Sequence, residues 1–184
     1  MSSLPKKYRK LSKYLSYLLR HHPEEAELSI NKYGFADLDE VLEALNETKH
    51  SWADKGDMEY LIENSDKTRF QIKDDRIRAL YGHSIDVVVE EEMAEEPPKT
   101  LYHGTSPKVV EQILKEGIKS KNRQFVHLSK SEKEAYTVGR RHAEEPVILK
   151  IDASRAWEDG ITFFERGDLF LVKYMPPGYV EVLD

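Results

Sequence analysis

Residues 90–98 read EEEMAEEPP, and this stretch limits the possible folds more than any other part of the chain. Five glutamates within seven positions repel one another, and Pro97-Pro98 can continue neither a helix nor a central strand. A chain interrupted this way is expected to fold as two pieces. Its 184 residues suffice for two small domains. The expected division is 1–92 and 93–184, with no internal repeat relating the halves.

Charge is distributed as unevenly as proline. The formal net charge is −6, which by itself argues against a polyanionic partner. Yet residues 1–23 hold Lys6, Lys7, Arg9, Lys10, Lys13 and Arg20 with no acidic residue. A basic arm can hold phosphates on a globally acidic protein, although a merely solvated helix face would carry the same charges. Cysteine is absent, which removes disulfides and thiolate chemistry and fits a reducing compartment. No apolar run reaches the length of a membrane span, and MSSLPKKYRK lacks the apolar core of a secretory signal. The expectation is a soluble, cytoplasmic protein.

In the first half, Leu11, Leu15, Leu18 and His22 recur at helical spacing. Arg20 falls roughly opposite that stripe at ~100° per residue, with His21 at its edge. ADLDEVLEAL predicts a helix capped by Asp37, with Glu40 three residues on and Leu38, Val41, Leu42 and Leu45 inward. A third helix is expected around SWADKGDMEYLIEN, burying Met58, Leu61 and Ile62. TRFQIKDDRIRALYG reads as a hairpin turning near Asp74-Asp75, with Ile77 and Ala79 on one face and Arg76 and Arg78 on the other. Helices followed by a two-stranded wing predict a winged-helix lobe.

The second half is richer in strands. TLYHGT, QFVHLS, PVILKIDAS, ITFFE, LFLVKYM and YVEVL read as strands. Two helices interrupt them: SPKVVEQILKEG, bounded by Ser106, Pro107 and Gly117, and SEKEAYTVGRRHA, with Ser131 and Glu134 as a capping box. The fold class expected for the whole is α+β in two lobes.

The chain holds no GxGxxG or GxxxxGK[ST] phosphate loop, no HExxH and no GxSxG. Its seven histidines lack metal-ligand spacing, so no metal site is expected. What remains is arginine and histidine where packing does not ask for them: Arg20, His21, Arg78 and Arg123. Converging guanidinium groups bind phosphate oxygens bidentately, and histidine adds a donor that switches near neutral pH. For each arginine alone, a solvated side chain with a local ion pair explains as much, and spacing does not show convergence. His103-Gly104-Thr105 and His127-Leu128-Ser129 each set a histidine in a short strand beside small or hydroxylated residues. Glycine admits a ligand close to the backbone, and the hydroxyls can bond a sugar or diphosphate.

Taken in order, LSKYLSYLLRHHP, RFQIKDDRIRALYGHS, LYHGT, NRQFVHLS and PPGY resemble the NAD-dependent RNA (tRNA) 2′-phosphotransferases, from about residue 8 to 180. The resemblance implies an N-terminal winged-helix lobe and a C-terminal ADP-ribosyltransferase-like lobe, with the active site in the cleft between them. It implies a substrate RNA with an internal, splice-junction 2′-phosphate, and NAD⁺ as co-substrate, with no metal, membrane or protein partner. The phosphate would attack the nicotinamide ribose to release nicotinamide and form an RNA-2′-phospho-ADP-ribose. The neighbouring 2″-hydroxyl would then displace the RNA, giving 2′-hydroxyl RNA and ADP-ribose 1″,2″-cyclic phosphate. The resemblance assigns Arg20, His21, Arg78 and Arg123 to catalysis. It assigns His103, Gly104, Thr105, His127, Leu128 and Ser129 to NAD⁺ binding. Tyr81 departs from it, standing where many members have glutamine.

Two other readings are distinguishable from this one. An ADP-ribosyltransferase or NAD glycohydrolase would leave a persisting adduct or free ADP-ribose and no cyclic phosphate. A non-catalytic RNA-binding module would bind RNA without turnover and without regard to NAD⁺.

Overall fold

The computed structural model describes residues 4–89 and 93–184. The first three glutamates of the acidic run, residues 90–92, lie outside the described residues. The chain divides into two compact units, Met1–Val88 and Val89–Asp184, each with its own hydrophobic core. Both mix helices with antiparallel sheet, so the fold class is α+β.

The first unit begins with α1 (Lys6–Arg20), which buries Leu11, Leu15, Leu18 and Leu19 completely. Their i, i+4, i+7, i+8 spacing is the apolar stripe of a surface helix. His22 does not extend the stripe, because the backbone leaves the helix after Arg20 and carries His22 to a half-exposed position. Asp37 caps α2 (Leu38–Asn46) by accepting from the amides of Asp39 and Glu40. Asp54 and Asp57 form a reciprocal capping box at α3 (Lys55–Asn64).

The expected hairpin gains a third strand. β1 (Phe35–Asp37), β2 (Phe70–Lys73) and β3 (Arg76–Ala79) form an antiparallel sheet in the order β1-β3-β2. β1 escaped the sequence reading because three residues show no alternation, and its last residue doubles as the α2 cap. Asp74 and Asp75 both take positive φ, 51° and 56°, as the tightest hairpin turn requires. Ile77 and Ala79 are buried, and Arg78 stands half-buried on the other face.

The second unit is built on a six-stranded sheet with the order β11-β7-β4-β6-β9-β8. Its strands are β4 (Thr100–Thr105), β6 (Val126–Ser129), β7 (Val147–Asp152), β8 (Phe164–Arg166), β9 (Leu169–Val172) and β11 (Val180–Val182). A small pair, β5 (Ile118–Lys119) with β10 (Tyr174–Met175), stands apart. LFLVKYM is therefore split at Lys173 between two sheets. The helices α4 (Pro107–Glu116) and α5 (Glu132–Gly139) follow the sequence reading, with Ser106 and Ser131 capping them. A third helix, α6 (Ala153–Glu158), was not foreseen. Six residues are too few to show a helical period, although Asp152 caps them and Ala153 and Ala156 are buried.

Candidate functional site

Why α1 stops at a run of arginine and histidines is answered by the segment that follows β3. The Tyr17 carbonyl accepts from the amides of both His21 and His22, at 3.2 and 3.1 Å. The Arg20 carbonyl accepts from Ser84 and Ile85, at 3.0 and 3.4 Å. The Arg20 carbonyl, one of those a helix end leaves unpaired, is thus met by the chain leaving β3. Because β3 carries Arg78, the same packing brings Arg78 to the end of α1.

Each side chain there is held from more than one side. The Arg20 guanidinium lies 5.0 Å over the buried Tyr81 ring, so Tyr81 serves as a cation–π platform. Its Nε and Nη2 atoms are shielded from water, more than its helical position opposite the apolar stripe implies. A Cβ at Gly82 would come within 3.3 Å of Arg20 Nη1, and the backbone φ there is +87°, so this turn suits glycine alone. The Arg78 Nε donates to Gln71 Oε1 at 2.9 Å and its Nη1 to the Tyr33 carbonyl at 3.4 Å. Its guanidinium also stacks 4.5 Å from the Phe35 ring.

His21 Nδ1 lies 2.8 Å from Ser84 Oγ, although the two are 63 residues apart in sequence. Ser84 Oγ is also 3.5 Å from the Arg20 carbonyl, to which a hydroxyl can only donate. The His21–Ser84 hydrogen bond thus ties the end of α1 to the segment that follows β3.

Beside these groups is His83, only 6% exposed, whose Nε2 has no hydrogen-bond partner among the described residues. Burial first, and then the charges of Arg20, His21 and Arg78, push it down from 6.5 to about 4. One buried ring thus senses all three cationic groups singled out in this half of the sequence. The structure brings Arg20, His21 and Arg78 together, with Tyr81, His83 and Ser84 as supports, of which the sequence reading noted only Tyr81, as a departure from glutamine. Their only signal was the motif YGHS, a glycine among polar and aromatic residues directly after a strand.

His83 also makes stability depend on pH. Its folded-state affinity for protons is depressed, so the unfolded chain binds a proton that the folded chain refuses. Stability is therefore complete above pH 6.5 and falls as pH drops towards 4. A shift of this size corresponds to about 3 kcal/mol. Urea unfolding at pH 7 and pH 4.5 should show a smaller acid loss in His83→Gln than in the wild-type protein. Equal losses would place the sensitivity elsewhere.

In the second unit, Arg123 Nη1 donates to His127 Nδ1 at 3.0 Å, which fixes the His127 proton on Nε2. The His127 carbonyl in turn accepts from His103 Nδ1–H at 3.1 Å. Burial holds the His103 ring below its usual range, so it is neutral and its lone pair lies on Nε2. β4 pairs with β7 over six residues but with β6 only at Tyr102–Ser129. Past Tyr102 the two strands part, and the His103 ring spans to the next strand where ladder bonds would otherwise run.

The remaining strand residues divide. Ser129 is half-buried and Thr105 is buried. Leu128 is fully buried in the core, so only its backbone can meet a ligand. Gly104 has a packing reason to be glycine: a Cβ there would fall 1.9 Å from the Ala135 carbonyl oxygen of α5. Among the described residues no helix is long and apolar enough to cross a membrane, and no three His, Asp or Glu side chains are grouped to hold a metal ion.

The first unit thus carries a cluster of arginine and histidine at the end of α1, and the second a histidine-bearing pair of parted strands. The chain belongs to the RNA 2′-phosphotransferase (Tpt1/KptA) family, whose profile it matches over residues 6–172. It is 39% identical over 176 residues to a probable RNA 2′-phosphotransferase of Acetivibrio thermocellus, covering 94% of this chain and 96% of that one. It is 40% identical to one from Pyrococcus furiosus over 177 residues, covering 95% and 96%. A Flavobacterium johnsoniae relative with the same description is 41% identical over 175 residues, covering 93% and 94%.

Proposed function

We propose that this protein removes an internal 2′-phosphate from RNA by transferring it to NAD⁺, yielding 2′-hydroxyl RNA, nicotinamide and ADP-ribose 1″,2″-cyclic phosphate. The observation that carries this reading is the gathering of Arg20, His21 and Arg78 around the buried neutral His83, in a chain of this family. A phosphomonoester dianion needs several fixed donors, and two guanidinium groups plus an imidazole supply them. In this reading residues 1–92 are a winged-helix lobe that takes the RNA phosphate, and residues 93–184 an ADP-ribosyltransferase-like lobe that takes NAD⁺.

Arg20 and Arg78 bind the non-bridging oxygens and stabilise the charge they gain during transesterification. His21 handles the proton passed between the ribose hydroxyl and the departing RNA 2′-oxygen. Arg123 adds a guanidinium in the second unit and orders His127. Where β4 and β6 part, the backbone of 103–105 and 127–129 together with His103 Nε2 suit the amide and hydroxyl groups of a dinucleotide. Bound NAD⁺ supplies the activated ribose carbon and the nicotinamide leaving group. The reaction needs no metal in this scheme, and its setting is RNA processing such as tRNA splicing in the cytoplasm.

The test is nicotinamide release measured with RNA carrying one internal 2′-phosphate and with the same RNA lacking it. Release that requires the 2′-phosphate supports the reading. Release indifferent to RNA marks an NAD glycohydrolase, and RNA binding with no release marks a non-catalytic module.

A further inference from the structure

The solvent face of α1 is a cationic stripe that packing does not explain. At ~100° per residue, Lys6, Arg9, Lys10, Lys13, Tyr17 and Arg20 fall within about 100° of the helix circumference. All but the half-buried Arg20 are exposed. Lys6, Arg9, Lys10 and Lys13 form no ion pair among the described residues, whereas Lys7, on the flank, is engaged by Asp57 and the Trp52 ring. The α1 sequence contains no acidic residue. At the helix end, Glu24 and Glu25 are taken up by His22 and Tyr17. The stripe runs about 20 Å, at 1.5 Å per residue, and terminates at Arg20 and His21. On a protein with net charge −6, such an ordered single-sign row carries a free-energy cost of self-repulsion that an anionic strand would relieve.

We infer that this face of α1 is a docking track for the RNA backbone, leading the strand to the phosphate-binding end of the helix. Lysine and arginine at successive turns match a polyanion that lies along the helix rather than a single phosphate. Tyr17, 37% exposed between Lys13 and Arg20 and with its ring 4.6 Å from that of His22, forms with it an aromatic surface on which a base beside the 2′-phosphate stacks. The inference rests on the RNA 2′-phosphotransferase reading and adds to it: the track makes affinity depend on RNA length, while the reacting phosphate alone is held by the residues at the helix end.

The experiment compares wild-type protein with the triple variant Arg9→Gln, Lys10→Gln, Lys13→Gln. Fluorescence anisotropy gives the Kd for a labelled 20-nucleotide RNA at 50 and 200 mM salt, and steady-state kinetics follow that RNA and a dinucleotide, each with one 2′-phosphate. For single strands the salt slope changes by about 0.7 per phosphate contact, so losing three cations should flatten it by about 2. Kd and KM for the long RNA should rise about tenfold at 50 mM salt, with kcat and all dinucleotide kinetics unchanged. The matched variant Lys108→Gln, Lys121→Gln, Lys133→Gln, with the same charge loss on the other unit, should change none of these. Equal long-RNA affinity and salt slope in the wild-type and α1 variant would overturn the track. If neither substrate turns over, the phosphotransferase reading fails, while the anisotropy data still decide the track by themselves.

Discussion

Replacing Arg78 with alanine should lower the rate of 2′-phosphate removal roughly a thousandfold while leaving the protein folded. The guanidinium is aimed by Gln71, the Tyr33 carbonyl and the Phe35 ring. That pre-alignment means the phosphate meets an oriented donor with no reorganisation at the moment of reaction. Removing one such fixed charged donor costs about 10²–10³ in turnover for an oxyanion-type contact, and arginines in phosphoryl transfer lie at or above that range. A thousandfold is about 4 kcal/mol of barrier. Arg78→Lys should recover little, because an ammonium cannot keep the Gln71 bond, the Phe35 stacking and a bidentate phosphate contact together. Single-turnover rates and a urea midpoint on the same samples separate chemistry from folding. A variant that keeps the midpoint and loses less than tenfold in rate would remove Arg78 from the catalytic set.

The second large effect is structural and falls in the other unit. Gly104→Ala should destabilise that unit by about 3 kcal/mol or more. The added Cβ would lie 1.9 Å from the Ala135 carbonyl oxygen, 2.7 Å from its carbon and 2.9 Å from the Gly139 amide nitrogen. All three are backbone atoms, so no rotamer relieves the overlap and α5 must lift from β4. Overpacking of ordinary side chains already costs about 1–3 kcal/mol, and a backbone collision exceeds it. The change would also spread β4 beside His103 and disturb its bond to the His127 carbonyl. Denaturant unfolding should show a lowered midpoint for the second unit. An unchanged midpoint would mean that the helix and strand have slack where the structure shows none.

These two positions also mark how far the sequence could be read. Arg78 was visible as a residue that hairpin packing did not require, because alternation set it opposite Ile77 and Ala79. That it faces the end of α1 was not visible, since this depends on how β3 and the following loop fold back on the helix. Helices with a clear cap or apolar stripe, such as the Asp37-capped α2 and the leucine-striped α1, were legible because both signals are local. β1 and α6 were not, being shorter than the period that would reveal them. Gly104 was noticed for a different reason from the one packing supplies: a glycine in a strand signals close approach but does not say by what. His83 was visible only as a member of YGHS, because burial among cations is a tertiary property. The family resemblance linked the motifs in order, and the family match over residues 6–172 supports that linkage.

The most direct measurement of the central claim is the fate of the phosphate itself. An RNA labelled with phosphorus-32 at one internal 2′-phosphate is incubated with the protein, with and without NAD⁺, and every labelled product is resolved. The account predicts that the label leaves the RNA only with NAD⁺ and is recovered in ADP-ribose 1″,2″-cyclic phosphate, alongside one equivalent of nicotinamide. Label appearing as inorganic phosphate without NAD⁺, or staying on the RNA while nicotinamide is released, would contradict it.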